Sequence, residues 1–153
     1  MVWSFHLNDL DSSDVRALLA LHFASLQSMS PAEACHVLPA EGLSSSSISF
    51  WSVREDRTLL GFGALKELTP EHGEIKSMRT APHMLGRGVG TSMLIHLVAQ
   101  ARSRGYNRLS LETGSTERFS AALRLYQREG FVTCGPFGGY KDTPFTAFLT
   151  REL

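Results

Sequence analysis

Glu74-Ile-Lys-Ser-Met-Arg-Thr80-Ala-Pro-His-Met-Leu85-Gly-Arg-Gly-Val-Gly90-Thr-Ser-Met-Leu-Ile-His-Leu97 decides the fold of this chain. It reads as a strand, then a loop with glycines at Gly86, Gly88 and Gly90, then a long helix. That helix carries Met93, Leu94, Leu97, Val98 and Ala101 on one face. Alternating glycines at a helix entrance leave backbone N–H groups uncovered beside the positive end of the helix dipole. Such a turn suits a phosphate or pyrophosphate group. The stretch therefore predicts a site for a phosphorylated cofactor.

Toward the C-terminus, Arg102 and Arg104 suit the end of this helix, and Gly105 terminates it. Arg108–Thr113 reads as a strand and Gly114–Glu117 as a loop; Phe119, Ala122, Leu125 and Tyr126 then recur at helical spacing until Gly130. Phe131–Cys134 restarts a strand, Gly135–Pro144 is a long loop, and Phe145–Arg151 is a last strand. Toward the N-terminus, Ile48–Arg54 and Thr58–Leu68 form a hairpin, with Gly61 and Gly63 marking a bulge. Val2–Leu7 supplies a first strand, and Ser44–Ser47 is a serine-rich loop. A helix carrying Val15, Leu18, Leu19, His22 and Leu26 runs to about Ser28, and a short one starts at Ser30-Pro31 and ends near Pro39. The order β-α-α-β-β-β-α-β-α-β-β predicts one α/β domain over residues 1–153. Its mixed, mostly antiparallel sheet has about six to seven strands, flanked by about four helices.

Of 153 residues, 42% are apolar and 20% charged, a balance that fits a soluble globular protein and argues against disorder. A formal net charge of zero argues against general attraction to nucleic acid or an anionic membrane. No apolar run approaches the ~20 residues that span a bilayer. Met-Val-Trp-Ser-Phe-His at the N-terminus is not a signal peptide. The two cysteines, Cys35 and Cys134, form no CxxC pair and read as reduced thiols of a cytoplasmic protein. The six histidines are scattered, so no metal is expected.

Thr80-Ala-Pro82, Gly86-Arg-Gly-Val-Gly90 and the later Ala122-x-x-Leu125-Tyr126-x-x-x-Gly130-Phe131 resemble, together and in order, the GCN5-related N-acetyltransferase (GNAT) superfamily. Its hallmark is R/Q-x-x-G-x-G/A on a strand-to-helix turn, followed by a strand and A-x-x-L-Y-x-x-x-G-F. More narrowly, Gly73–Thr80, Leu111–Gly114 and Cys134–Phe137 are similar to a bacterial branch of acetyltransferases, mostly of unassigned substrate. Two positions depart from the pattern. Leu85 stands where Arg or Gln is usual, which removes a side-chain contact to the pyrophosphate and leaves Arg87 and Arg128 as replacements. Phe119 stands where many members have an Asn that helps hold the pantetheine arm or a water.

The resemblance implies acetyl-CoA as donor and direct transfer of the acetyl group to a primary amine of a small molecule or peptide. No nucleic-acid or membrane partner is implied, and a homodimer is an option. It assigns the amides of Gly86, Arg87, Gly88, Val89, Gly90 and Thr91 to the pyrophosphate, and the strand through Met78, Arg79 and Thr80 to the pantetheine. Leu85, Thr113, Tyr126 and Arg128 complete the implied cofactor site. The Met78 N–H is the implied donor to the acetyl oxygen, and Tyr126 occupies the general-acid position.

Strand alternation places Glu74, Lys76, Met78 and Thr80 on one face, which favours Glu74 over Glu112 as base; an amine that arrives neutral needs none. The segment from Met29 to Trp51 is implied to wall the acceptor site, with Ser30, Glu33, His36 and Trp51 joined by Phe137 and Tyr140. Two other functions compete. A non-catalytic acyl-CoA-binding sensor is encouraged by Leu85 and Phe119. A P-loop or dinucleotide enzyme is opposed by the lack of Gly-Lys-Ser/Thr after the turn.

Overall fold

Alternating and helix-periodic stretches become elements close to their expected bounds. The structure, a computed structural model, describes residues 3–29 and 42–153. The expected helix at Ser30–Pro39 lies outside the described residues, as do the candidates Ser30, Glu33 and His36. The strands are β1 (Ser4–Leu7), β2 (Ile48–Glu55), β3 (Thr58–Thr69), β4 (His72–Thr80), β5 (Arg108–Gly114), β6 (Val132–Cys134) and β7 (Thr146–Glu152). The helices are α1 (Ser13–Met29), α2 (Val89–Ser103) and α3 (Ser120–Arg128), with short 3-10 turns at Gly42–Ser44, Pro82–Met84 and Glu117–Phe119. One seven-stranded sheet runs β1-β2-β3-β4-β5-β7-β6. All its pairings are antiparallel except β4 with β5, which α2 connects as a crossover.

The sheet separates two cores. Met93, Leu94, Leu97 and Val98 of α2, with Tyr126 of α3, pack on Trp51, Leu65, Ile75, Leu109, Leu111 and Leu149. Val15, Leu18 and Leu19 of α1 pack on Phe50, Phe62 and Ala64 from the other side. Gly63 lets α2 approach, because a Cβ there would come within 2.8 Å of Met93 Cγ. Arg54 ties the start of α1 to β2 through Asp9 and Asp14, and its guanidinium holds the Asp14 carboxyl below its ordinary range.

His22 completes the apolar stripe of α1 at 5% exposure. Burial, with help from the charge of Arg79, lowers its pKa from 6.5 to about 4. The unfolded chain therefore takes up this proton as pH falls through 6.5, while the folded chain does not until about 4. The stability this burial allows is complete above pH 6.5 and is lost between 6.5 and 4, by about 3 kcal/mol. His22→Phe removes that part of the slope, which urea midpoints at neutral pH and near pH 4.5 measure.

Two features of β4 shape the site. Its ladder with β3 slips between Phe62 and Ala64: Phe62 faces Arg79 and Ala64 faces Lys76, so Gly63 opposes both Ser77 and Met78. This bulge puts Ser77 at φ 48°, a left-handed conformation in the middle of a strand. Second, the ladder with β5 has four rungs and ends at Ile75 and Leu111. β4 runs on to Thr80, and β5 pairs with β7 as far as Gly114. Beyond Ile75 the two strands diverge, leaving their facing edges without ladder partners.

Candidate active site

The glycine turn closes the α2 side of this gap. After the 3-10 turn, Gly86 and Gly88 take φ 77° and 86°. A Cβ at either would meet nothing within 4 Å, so glycine serves backbone shape here rather than space. Gly88 is the N-cap of α2 and no side chain caps the helix. The Ser92 N–H donates to the Gly88 carbonyl at 3.0 Å, leaving Val89, Gly90 and Thr91 N–H in the first turn at the positive end of the dipole. Uncapped donors beside open space fit a pyrophosphate. Leu85 lies at the rim, 67% exposed; Arg87 is exposed in the turn and Arg128 in the last turn of α3.

Met78 packs into the α2-side core, and Thr80 Oγ1 lies 3.7 Å from where a Cβ of Gly90 would stand. Thr113 pairs with Ala147, whose side chain joins the same core. Phe119 packs its ring against Gly114, leaving no room there for a Cβ. The position that many GNAT members give to a polar Asn is thus filled by a core aromatic.

Tyr126 sits on the last turn of α3 at 8% exposure. The helix ends in a left-handed Gly130, φ 89°; the Gly130 N–H donates to Gln127 and the Phe131 N–H to Tyr126. This is a Schellman ending with its customary apolar contact, the Phe131 ring meeting Tyr126 edge-on at 6.0 Å. The Leu-Tyr-to-Gly-Phe spacing is therefore a device for locking one tyrosine. Burial pushes its pKa up to about 12.

On the opposite face lies a buried polar cluster. Glu74 is 1% exposed. Tyr140 donates to Glu74 Oε2 at 2.7 Å, Lys76 Nζ donates to Tyr140 Oη at 2.6 Å, and Lys76 Nζ is 3.4 Å from Glu74 Oε2. Desolvation and the neighbouring Glu74 push the Tyr140 phenol well above its ordinary range. Phe137 packs edge-on against Tyr140 and Phe148, and His72 Nε2 meets Ser110 Oγ at 2.7 Å. The Gly135–Pro144 loop thereby covers the β4, β5 and β7 part of the sheet.

Two expectations change. Glu74 does not share a face with Met78 and Thr80, because the bulge interrupts the alternation on which that placement rested. Glu74 and Lys76 face the α1 side, Met78 and Thr80 the α2 side. Trp51 does not join Phe137 and Tyr140: it is buried against α2, edge-on to His96 and under Arg104. β2 is buried on both faces, so its alternation could not distinguish a lining residue from a core one. The structure brings Glu74 and Tyr140 together and adds Lys76, which strand alternation put beside Glu74 but to which the sequence reading gave no role. It also adds Ser77, whose buried hydroxyl finds no hydrogen-bond partner among the described residues.

A gapped parallel pair beside a glycine-turned helix is what the GNAT resemblance implies, and comparison shows the family. The acetyltransferase (GNAT) family model matches residues 15–131, so the chain belongs to that family. It is an acyltransferase of the kind that uses acetyl-CoA as donor. It is 46% identical to the uncharacterized N-acetyltransferase YsnE of Bacillus subtilis (strain 168), over 96% of this chain and 97% of the relative. With the uncharacterized N-acetyltransferase YedL of Escherichia coli (strain K12) it shares 42%, over 99% and 96%. The fold matches a GNAT family acetyltransferase from Elizabethkingia anophelis, solved with acetyl-CoA bound, at a TM-score of 0.74 and 19% identity, covering 99% and 98%. No helix among the described residues is long and apolar enough to cross a membrane.

Proposed function

We propose that the chain moves the acetyl group of acetyl-CoA directly to a primary amine of a small molecule or peptide. The observation that carries this reading is the gap opening after Ile75 and Leu111, with the uncapped α2 amides on one side and a polar, aromatic-walled face on the other. When bound, acetyl-CoA supplies an activated thioester acyl group.

The amides of Gly86 to Thr91 hold the pyrophosphate, with Arg87 and Arg128 adding charge in place of the residue lost at Leu85. The unpaired edge of β4 through Met78, Arg79 and Thr80 pairs with the pantetheine amides. Met78 N–H, next to the bulge, stabilises negative charge on the acyl oxygen. Tyr126 donates a hydrogen bond to the departing sulfur. The amine approaches from the α1 side, where Glu74 receives its proton through the Tyr140 hydroxyl or a water. The bulge supports this division of labour, since it puts the proton acceptor and the cofactor wall on opposite faces.

Calorimetry with acetyl-CoA, followed by a thiol-release screen over amines, amino acids, aminoglycosides and lysine peptides, tests the reading. No binding at millimolar acetyl-CoA would sink it. Gly88→Trp fills the amide cradle and strains a left-handed position, so acetyl-CoA affinity falls by at least roughly 100-fold. Titration of the folded variant measures this, and unchanged affinity would move the pyrophosphate elsewhere.

A further inference from the structure

The bulge at Ser77 also brings Arg79 onto the α1 face, the face of Glu74 and Lys76. Arg79 pairs in register with Phe62, and Phe62 packs with α1. The imidazole of His22 stands edge-on to the same Phe62 ring at 5.6 Å, close enough to feel the charge of Arg79. Both groups are short of partners. Arg79 is half-buried and its side chain makes no ion pair or hydrogen bond among the described residues. His22 is 5% exposed, and neither ring nitrogen has a hydrogen-bond partner among the described residues. A desolvated guanidinium beside a buried, unbonded imidazole is costly unless an acceptor completes it.

Charge and shape identify that acceptor. A neutral imidazole offers one N–H donor, and a guanidinium offers a planar fork. Together they carry a single positive charge, matched by one carboxylate: its two oxygens meet the fork, and a remaining lone pair takes the imidazole N–H. A phosphate dianion would leave a surplus negative charge in a half-buried site. The cofactor's phosphates are not the source in this arrangement, because the glycine turn lies across β4, on the Thr80 side.

We propose that Arg79 and His22 bind a carboxylate on the acetyl acceptor, which is therefore an aminocarboxylate of amino-acid type rather than a simple amine. This rests on the reading of the α1 face as the acceptor side.

The test compares wild type, Arg79→Met, His22→Phe and His22→Gln on the proteinogenic amino acids, each beside its amide. A second arm measures equilibrium binding of 3-phenylpropionate and acetate, against their amides, with CoA present. Wild type prefers acid to amide by roughly 100-fold in kcat/KM, and Arg79→Met brings that ratio to within about threefold. His22→Phe loses roughly tenfold of the preference, and His22→Gln, which keeps a donor, restores most of it.

Equal use of acid and amide by wild type overturns the proposal, as does a preference that survives Arg79→Met. Loss of acetyl-CoA affinity in Arg79→Met overturns it too, since the guanidinium would then belong to the cofactor. If no amine is acetylated but carboxylates bind in an Arg79-dependent way, the carboxylate site stands and the amine-acceptor reading fails. If no carboxylate binds at about 10 mM, the site falls while acetyl transfer to other amines is unaffected.

Discussion

Tyr126→Phe lowers kcat for acetyl transfer by roughly 100- to 1,000-fold and leaves acetyl-CoA affinity within about twofold. The change removes one oxygen from a ring that Phe131 and the end of α3 hold in place, so packing is kept. The pKa of about 12 sets the kind of help this phenol gives. A thiolate of pKa near ~8.5 cannot draw a proton fully from so weak an acid. On the proposed mechanism, Tyr126 therefore stabilises the developing thiolate by a hydrogen bond, and solvent completes the protonation. Since the phenol stays protonated below about pH 12, the pH–rate profile of wild type has no falling limb from this group in the neutral or mildly alkaline range. Rates of thiol release for the two proteins decide the matter; an unchanged kcat removes Tyr126 from the chemistry.

Glu74→Leu and Lys76→Met each destabilise the fold by about 3–5 kcal/mol, and the double variant recovers most of the loss. Each single change strands a charge that is almost wholly removed from water by taking away the opposite charge 3.4 Å from it. The double change leaves an apolar patch of similar volume beneath Phe137 and Phe148. Urea unfolding of the four proteins gives the coupling. Simple addition of the single losses would mean that the pair is hydrated, contrary to its burial. Activity separates from stability in this series: with Glu74 as the proposed proton acceptor, the double variant folds yet transfers acetyl groups slowly.

The sequence shows some of this and hides the rest for physical reasons. The turn at Gly86 to Gly90 and the Leu125-Tyr126 to Gly130-Phe131 block announce themselves, because left-handed backbone and helix endings demand particular residues. Helix periodicity likewise places Val15, Leu18, Leu19 and His22 on a single stripe. Gly61 and Gly63 mark an irregularity in β3, and the ladders do slip beside both, but the bulge in β4 was illegible. Glu74 to Thr80 alternates without interruption, and Ser77 is not the glycine that a left-handed strand position usually requires. Missing that one residue reversed the faces of Met78, Arg79 and Thr80 relative to Glu74. Trp51 failed differently: a strand buried on both sides presents an apolar residue at nearly every position, so alternation carries no information about which layer it enters. The Tyr140 latch is a long-range match between a glycine-rich loop and a strand 66 residues away, which no local signal reports.

Four rungs between β4 and β5 have a mechanical consequence. They are the short spine on which a four-strand leaf and a three-strand leaf meet, with α2 as the strap between them. A guest lying along the open seam takes the place of the rungs the protein omits, so binding and sheet completion become a single event. At a ligand concentration of 100 Kd, linkage adds about 2.7 kcal/mol to folding. That gain is felt at the seam, where the chain's own backbone bonding is least complete. With the donor in the seam as proposed, its supply sets how firmly the two leaves are held, and the enzyme is stiffest when it is charged to react.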